Sequence, residues 1–406
     1  MSDPVARQYE EFPYPPRDPA EEKKRLILGS PSHLAEVDHY LFSGALTRRG
    51  PLKILVAGGG TGDAAIMLAQ QTKDAGIIAD ILYLDLSAAS RRIAEERARI
   101  RGLSHLRFAT GSLLDPPEEG PFDYIDCCGV LHHLPDPQAG FNRLAGLLKP
   151  DGGMGIMVYA PFGRSGVYPL QAAIRRLAGP DAAPQDKLAI AKSLLKSLPP
   201  TNLFARNPLL RDHLAGDAAL YDLLCHSTDR PYSVGELAQA CETAGLAIAR
   251  FVEPARYEPE RYLTDQAGKA AAAGLDPIAR AALAEELAGN MRVHMVYAVK
   301  AGRLPPAPPS PQDMDNAPVL RDGALRMQAR AMRPGASIRL VFDGLPFDLV
   351  MPDLAGPILA AIDGRRDLAA IARTMPTGVD SARFQEDWLR LYAALEPANK
   401  LLLKRG

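Results

Sequence analysis

Four glycines fill five positions of the stretch ILVAGGGTGDAAIMLAQ, residues 54–70, and Asp63 follows them directly. Backbone N–H groups can approach a ligand closely only where side chains are absent, so a loop of this kind between a strand and a helix suits a nucleotide. Two classes of nucleotide cofactor use such a loop. Gly60-Thr61-Gly62-Asp63-Ala64-Ala65 fits the alanine form of the dinucleotide pattern, but read from Gly58 the pattern fails at Asp63. The loop alone leaves both open. A second group able to do chemistry is VLHHLPDP, residues 130–137, where His132 and His133 can accept a proton near neutral pH; ordinary packing is the competing reading of both.

The elements that must position these residues alternate between strand and helix patterns. Short aliphatic runs occur at 53–58, 80–86, 106–110, 123–130 and 153–160, with AAIMLAQQ, SAASRRIAEERARIRGL and AGFNRLAGLLKPDGG among them at helical spacing. The last of these helices should stop at Pro150 and Gly152. Strands separated by such helices predict a parallel sheet with helices on both faces. After Tyr159 the rhythm breaks into helices alone, from about 163 to 232, and resumes with strands at LAIARFVEP and HMVYAVKAG. The reading is an α/β domain over 1–302 with a helical insertion at about 163–232. GRLPPAPPSPQDMDNAP, with six prolines, predicts an extended linker over 303–318. Residues 319–406 predict a small α+β domain: a hairpin turning at Asp343-Gly344, weakened by Pro346, then helices and a terminal KLLLK strand.

Lys plus Arg number 47 against 48 Asp plus Glu, for a net charge of -1. That balance gives no electrostatic reason to expect nucleic acid or an anionic membrane as partner. No apolar run approaches the roughly 20 residues of a spanning helix, and the N-terminus lacks a basic segment before an apolar core, so a cytoplasmic protein without membrane insertion is expected. Cys127, Cys128, Cys225 and Cys241 include one adjacent pair and no CxxC; packing, rather than a metal or a disulfide, is their expected role.

Five segments in order resemble the motifs of class I S-adenosylmethionine-dependent methyltransferases: ILVAGGGTGD, LYLDLS, ATGSLLD, FDYIDCCGVLHHLPDP and LLKPDGGMGIMVY. The resemblance implies a Rossmann-like seven-stranded sheet with S-adenosylmethionine at the carboxyl ends of its strands. Gly58, Gly59, Gly60, Thr61, Gly62 and Asp63 would run past the donor's methionine portion. Asp85, with Leu86 beside it, would accept from both ribose hydroxyls, Ser112 and Leu113 would meet the adenine, and Gly129 would close the fourth strand. A dinucleotide enzyme would not need VLHHL and KPDGG, so the set favours the methyl donor. One departure is Val56: many relatives carry an acid there, two residues before the first glycine and near the donor's ammonium. Asp63 is the nearest acid able to compensate, unless it serves only the helix dipole.

Methyl transfer from a sulfonium is an in-line displacement that chiefly needs alignment and exclusion of water. An amine acceptor must also be neutral, which calls for a base or a desolvated site. QYEEFPYP, CCGVLHHL, YAPFGRSGVYPLQ and LLCHSTDRPYSVGEL together resemble the bacterial outer-membrane-protein lysine methyltransferases. On that resemblance Tyr9, Tyr14, Arg164, Gln171 and Arg230 are candidates for acceptor contacts. His132, His133, Tyr168 and His226 are the candidate catalytic residues, and no metal is expected. ILAAIDGRRDLAAIARTM and the following helix are similar to winged-helix peptide-recognition domains, which add a peptide strand to an exposed sheet edge. Both resemblances imply a protein or peptide acceptor, most plausibly lysine nitrogen. The alternatives are a small-molecule O- or N-methyltransferase, with the insertion forming an enclosed pocket, and a non-catalytic donor-binding module. A homodimer through the apolar insertion is a further expectation.

Overall fold

The computed structural model describes residues 4–116, 119–179 and 181–406. Its central sheet contains β1 (Leu52–Ala57), β2 (Ala79–Asp85), β3 (Leu106–Thr110), β4 (Phe122–Cys128), β5 (Leu148–Tyr159), β6 (Leu246–Phe251) and β7 (Val293–Lys300). Their order is β3-β2-β1-β4-β5-β7-β6, the seven-stranded arrangement expected from the sequence. Neighbours from β3 to β5 are parallel, whereas β7 runs antiparallel to both β5 and β6. The chain goes outward from β1 to β3, then returns across β1 to start β4. Such a reversal opens a crevice at the carboxyl ends of the strands it separates, and the glycine loop lies there.

Capping fixes the helices that flank this crevice. The Ser87 hydroxyl accepts from the Ser90 N–H at the start of Ala88–Arg101, and Asp136 accepts from Ala139 N–H at the start of Pro137–Leu147. Gly62, with φ 105°, opens the helix Asp63–Asp74. The helix before β5 ends at Leu147, earlier than Pro150, and β5 begins at once. Leu148 pairs with Phe122 and Gly153 with Tyr124, so Lys149–Gly152 form an irregularity rather than a turn preceding the strand. A side-chain bond from Lys149 Nζ to Asp123 at 2.8 Å anchors it. One core, including Ile54, Val56, Ile66 and Tyr124, fills one face of the sheet; Leu55, Ile125, Phe141 and Ile156 fill the other.

The insertion consists of Val167–Ala178, Pro184–Ser197, Leu203–Arg206 and Asp217–Leu224, with a core of its own around Val167, Leu170, Phe204 and Leu220. The N-terminal helix Pro4–Glu11 leans on it, Phe12 stacking on Tyr221 with ring centres 4.9 Å apart.

The proline-rich segment has no helix or strand from 303 to 316, but it is tied down: Trp388 donates to the Pro311 carbonyl at 2.8 Å. Beyond it, β8 (Ala317–Leu320) already includes the last two residues assigned to the linker and pairs with β11 (Leu401–Lys404). Between them lies the hairpin of β9 (Ser337–Phe342) and β10 (Leu345–Val350). Asp343 and Gly344 both have positive φ, 45° and 82°, as a type I′ turn requires. Pro346 sits opposite Val341 and is tolerated because β10 has a neighbour on one side only. The hairpin and the β8–β11 pair are separate two-stranded sheets around a shared core of Trp388, Leu359, Ile371 and Phe384.

Candidate active site

The glycine loop is shaped by what it must avoid and what it must hold. Gly58 has φ 77°, and a Cβ there would run into the Val130 side chain. Gly60 has φ 51°, and a Cβ there would lie 2.8 Å from the Tyr14 carbonyl oxygen. The Gly60 N–H instead donates to Asp85 Oδ2 at 2.7 Å, and the Ser87 N–H donates to Asp85 Oδ1 at 2.8 Å. Burial raises the Asp85 carboxyl above its ordinary pKa, and these two N–H groups pull against that rise. Each oxygen retains a lone pair for an incoming hydroxyl. Asp85 therefore stands at the end of β2 as an oriented acceptor pair.

A cavity of about 510 Å³ opens beside it. Gly58, Gly59, Gly60, Asp63, Asp85, Leu86, Ser112, Leu113 and Gly129 line it, as do Tyr9, Tyr14 and His133. Thr61 and Gly62 do not reach the wall: Thr61 donates its hydroxyl to the Pro15 carbonyl at 2.6 Å, and Gly62 caps its helix. That contact belongs to a set fastening the N-terminal arm over the loop. The Ser87 hydroxyl donates to the Tyr9 carbonyl at 3.0 Å, Ala88 and Ala89 N–H donate to the Glu10 carboxylate, and Arg17 grips Asp63. Asp63 also accepts from Arg97 at 2.7 Å, and Arg97 pairs with Glu22. Burial alone would raise the Asp63 carboxyl, but the hydrogen bonds and charge of Arg17 and Arg97 win and hold it below its usual value.

At the other end, the insertion contributes Asp222 from its helix Asp217–Leu224. Tyr9 donates to Asp222 Oδ1 at 3.0 Å and Tyr159, at the end of β5, donates to Oδ2 at 3.1 Å. Burial raises the Asp222 carboxyl, with nearby His133 lowering it. Asp212, Tyr14 and Tyr159 complete this wall. The His133 Nδ1 lies 3.1 Å from the Thr228 carbonyl, an acceptor, so Nδ1 carries a hydrogen there and Nε2 is the other ring nitrogen. His226 stacks on His133 with ring centres 3.8 Å apart; its Nδ1 accepts from Thr228 N–H, so its Nε2–H faces the Tyr9 oxygen at 3.3 Å. The carboxylate, two phenols and two imidazoles thus form one connected network with a carboxylate at its cavity side.

Six of the residues picked from the sequence for chemistry or acceptor contact lie outside the cavity wall. His132 packs its ring 4.1 Å from Tyr159, and neither ring nitrogen has a hydrogen-bond partner; burial keeps it neutral. His226 is shielded by its stack on His133. Arg164 lies flat on the Tyr159 ring at 3.5 Å and donates to the Tyr168 hydroxyl, so both support Tyr159 from outside the cavity. Gln171 spends its amide on the Leu223 carbonyl and Asp229. Arg230 is more than half exposed and pairs with Glu236. Loop position near the carboxyl edge puts a residue close to the crevice, but these side chains are taken up by partners such as Tyr159 for His132 and Arg164, Asp229 for Gln171, and Glu236 for Arg230.

The sequence reading missed Asp126, Tyr159, Asp212 and Asp222, all on the cavity wall. Asp126 interrupts the apolar run of β4, and that interruption is the signal that could have marked it. It is 1% exposed, Oδ2 accepts from the Tyr124 hydroxyl at 3.1 Å, and the Ser32 hydroxyl also donates to the carboxylate. Burial pushes its pKa up to about 6. Asp222 and Asp212 sit on the insertion, where no motif spacing singles them out.

Residues 55–154 match a family described as methyltransferase domain. The chain is 32% identical to an uncharacterised protein of Synechococcus sp. over 63% of its own length and 61% of the relative's. It is 31% identical to the tRNA 5-carboxymethoxyuridine methyltransferase of Escherichia coli over 29% of its length and 45% of that protein. The chain therefore spans 61% and 45% of these two curated relatives. Among solved structures, PKMT2 from Rickettsia typhi in complex with AdoHcy has a similar fold, with TM-score 0.62, 15% identity, and coverage of 93% of this chain and 77% of that one. The matched segment is similar to a methyltransferase domain, in agreement with the motifs read from the sequence. The residues present fit S-adenosylmethionine, the donor that the sequence resemblance implies: a glycine cradle that a Cβ would fill, an acceptor pair at Asp85, and a buried carboxylate without a cation at Asp126.

Proposed function

We propose that the protein is an S-adenosylmethionine-dependent N-methyltransferase acting on lysine of a protein or peptide. The observation that carries this reading is the Asp222 wall. Its carboxylate is fixed by two tyrosine hydroxyls, Asp212 lies on the same wall, and the rings of Tyr9, Tyr14 and Tyr159 surround it. Carboxylates and aromatic faces together attract an alkylammonium group, through charge and through the ring quadrupole. The fold similarity to PKMT2 of Rickettsia typhi and the sequence resemblance to lysine methyltransferases point the same way.

The donor, when bound, supplies an electrophilic methyl group. The chain's own residues would do the remaining work. Asp222 draws the ammonium in and orients it; Tyr9 and Tyr159 keep the carboxylate in place. His133 Nε2 is the group in this wall with a free lone pair to receive the proton that must leave before the nitrogen can attack. The arm of residues 4–17 covers the crevice and excludes water. Gly58, Gly59 and Gly60 cradle the donor, with Asp85 at its ribose, Leu86 beside it, and Ser112 and Leu113 at its adenine. The C-terminal hairpin, with a free edge on each strand, suits capture of an extended peptide by strand addition.

Incubation with methyl-labelled donor and a proteome extract tests this. The expected result is label in the polypeptide fraction; label confined to small molecules would establish the alternative acceptor class instead.

A further inference from the structure

Asp126 completes the donor site at a point where the glycine motif lacks a residue. Position 56, two residues before the first glycine, carries valine, so β1 brings no acid to the methionine end of the cavity. In the sheet, Val56 lies directly opposite Asp126 of β4. Partners in a parallel pair stand side by side, about 4.8 Å apart, with side chains on the same face. Asp126 therefore rises from the sheet beside the place the missing acid would occupy. It faces the cavity and it is buried, and the groups that donate to it are neutral hydroxyls, those of Tyr124 and Ser32. Among the described residues no basic side chain is within ion-pair range of it. Leaving a carboxylate charge buried without a cation is unfavourable, so its place on a cavity wall calls for a cation that arrives from outside.

The two other acids on the donor side are already committed. Asp63 is bound by Arg17 and Arg97, and Asp85 holds two backbone N–H groups on the opposite flank of β1. Resting on the donor reading of this cavity, we infer that Asp126 binds the ammonium of the donor's methionine portion. The acid has moved one strand across from β1 to β4, and Asp63 fastens the N-terminal arm.

The test is calorimetric and independent of any acceptor. S-adenosylhomocysteine and its deaminated analogue, with hydrogen in place of the amino group, are titrated into wild type, Asp126→Asn and Asp63→Asn. Wild type should prefer the amine by about 30-fold, within the range for hydrogen bonds to charged groups. Asp126→Asn should lose that preference, binding both ligands within about threefold of each other. Asp63→Asn should keep the full preference while weakening both ligands together. Lack of preference in wild type, its persistence in Asp126→Asn, or its loss in Asp63→Asn each overturns the assignment. Asp126→Asn keeps the size and shape of the side chain and removes a buried charge, so it is expected to fold, and its ligand preference reports the charge alone. Failure of wild type to bind either ligand is a different result, because it removes the donor site itself.

Discussion

At the scale of single residues, the site is a division of labour among carboxylates set by what each already holds. Asp85 is oriented by two N–H donors, and Asp85→Ala should weaken S-adenosylhomocysteine by about 1.5–3 kcal/mol, read by calorimetry. Asp126 has an effect on stability as well as on binding. Its folded pKa of about 6 lies above the ordinary carboxyl value of 3.8, so above pH 6 the folded state holds a charge that burial disfavours. As pH falls from 6 toward 3.8 the folded carboxyl takes up its proton before the unfolded one, and the penalty disappears. Asp126→Asn should therefore be more stable than wild type by about 1–3 kcal/mol at pH 7.5, by denaturant titration, with the difference vanishing near pH 4. Equal stability at pH 7.5 would show that Asp126 is not strained by burial. Such a trade of stability for binding is common at functional sites. Asp85 was legible because motif spacing and strand position agree on it. Asp126 was not, because a cross-strand neighbour is defined by register rather than by distance along the chain.

At the scale of elements, the N-terminal arm and the insertion close the crevice from two sides. The arm is held by Arg17 on Asp63, Thr61 on Pro15 and Ser87 on Tyr9. Arg17 is partly exposed, so its ion pair contributes modestly. Arg17→Ala should speed release of S-adenosylhomocysteine about threefold to tenfold in stopped flow, an arm-opening effect of about 1 kcal/mol; unchanged release would mean that the arm does not gate the site. The central strands were readable from aliphatic runs with helices between them, because a sheet covered on both faces leaves an unambiguous pattern. The antiparallel entry of β7 was not readable, since strand direction is set by the connections and by pairing partners. Six residues that the sequence suggested for the site do not line the cavity. Sequence position brought Arg164, Tyr168, Gln171, His226, Arg230 and His132 near the crevice, but their packing partners decided where the side chains point, such as Tyr159 for Arg164 and Asp229 for Gln171.

At the scale of the whole molecule, the C-terminal region is built into the core of the central sheet. Leu402 of β11 belongs to the core beneath the central sheet, Arg321 pairs with the buried Glu36 at 2.5 Å, and Asp343 of the hairpin holds Arg256 and Arg292. Removing residues 303–406 would leave Glu36 uncompensated in the interior, with a loss of about 3–5 kcal/mol expected from that pair alone. The truncated chain should show a clearly lower melting temperature or fail to fold, and a truncation as stable as the full chain would contradict this integration. The central claim is that the Asp222 wall selects a lysine amine. Its most direct test is methyl transfer from labelled donor into a proteome extract whose lysine amines have been acetylated beforehand, beside an untreated extract. The account predicts label on the ε-nitrogen of lysine in the untreated extract and none after acetylation. Undiminished labelling of the acetylated polypeptides would contradict it.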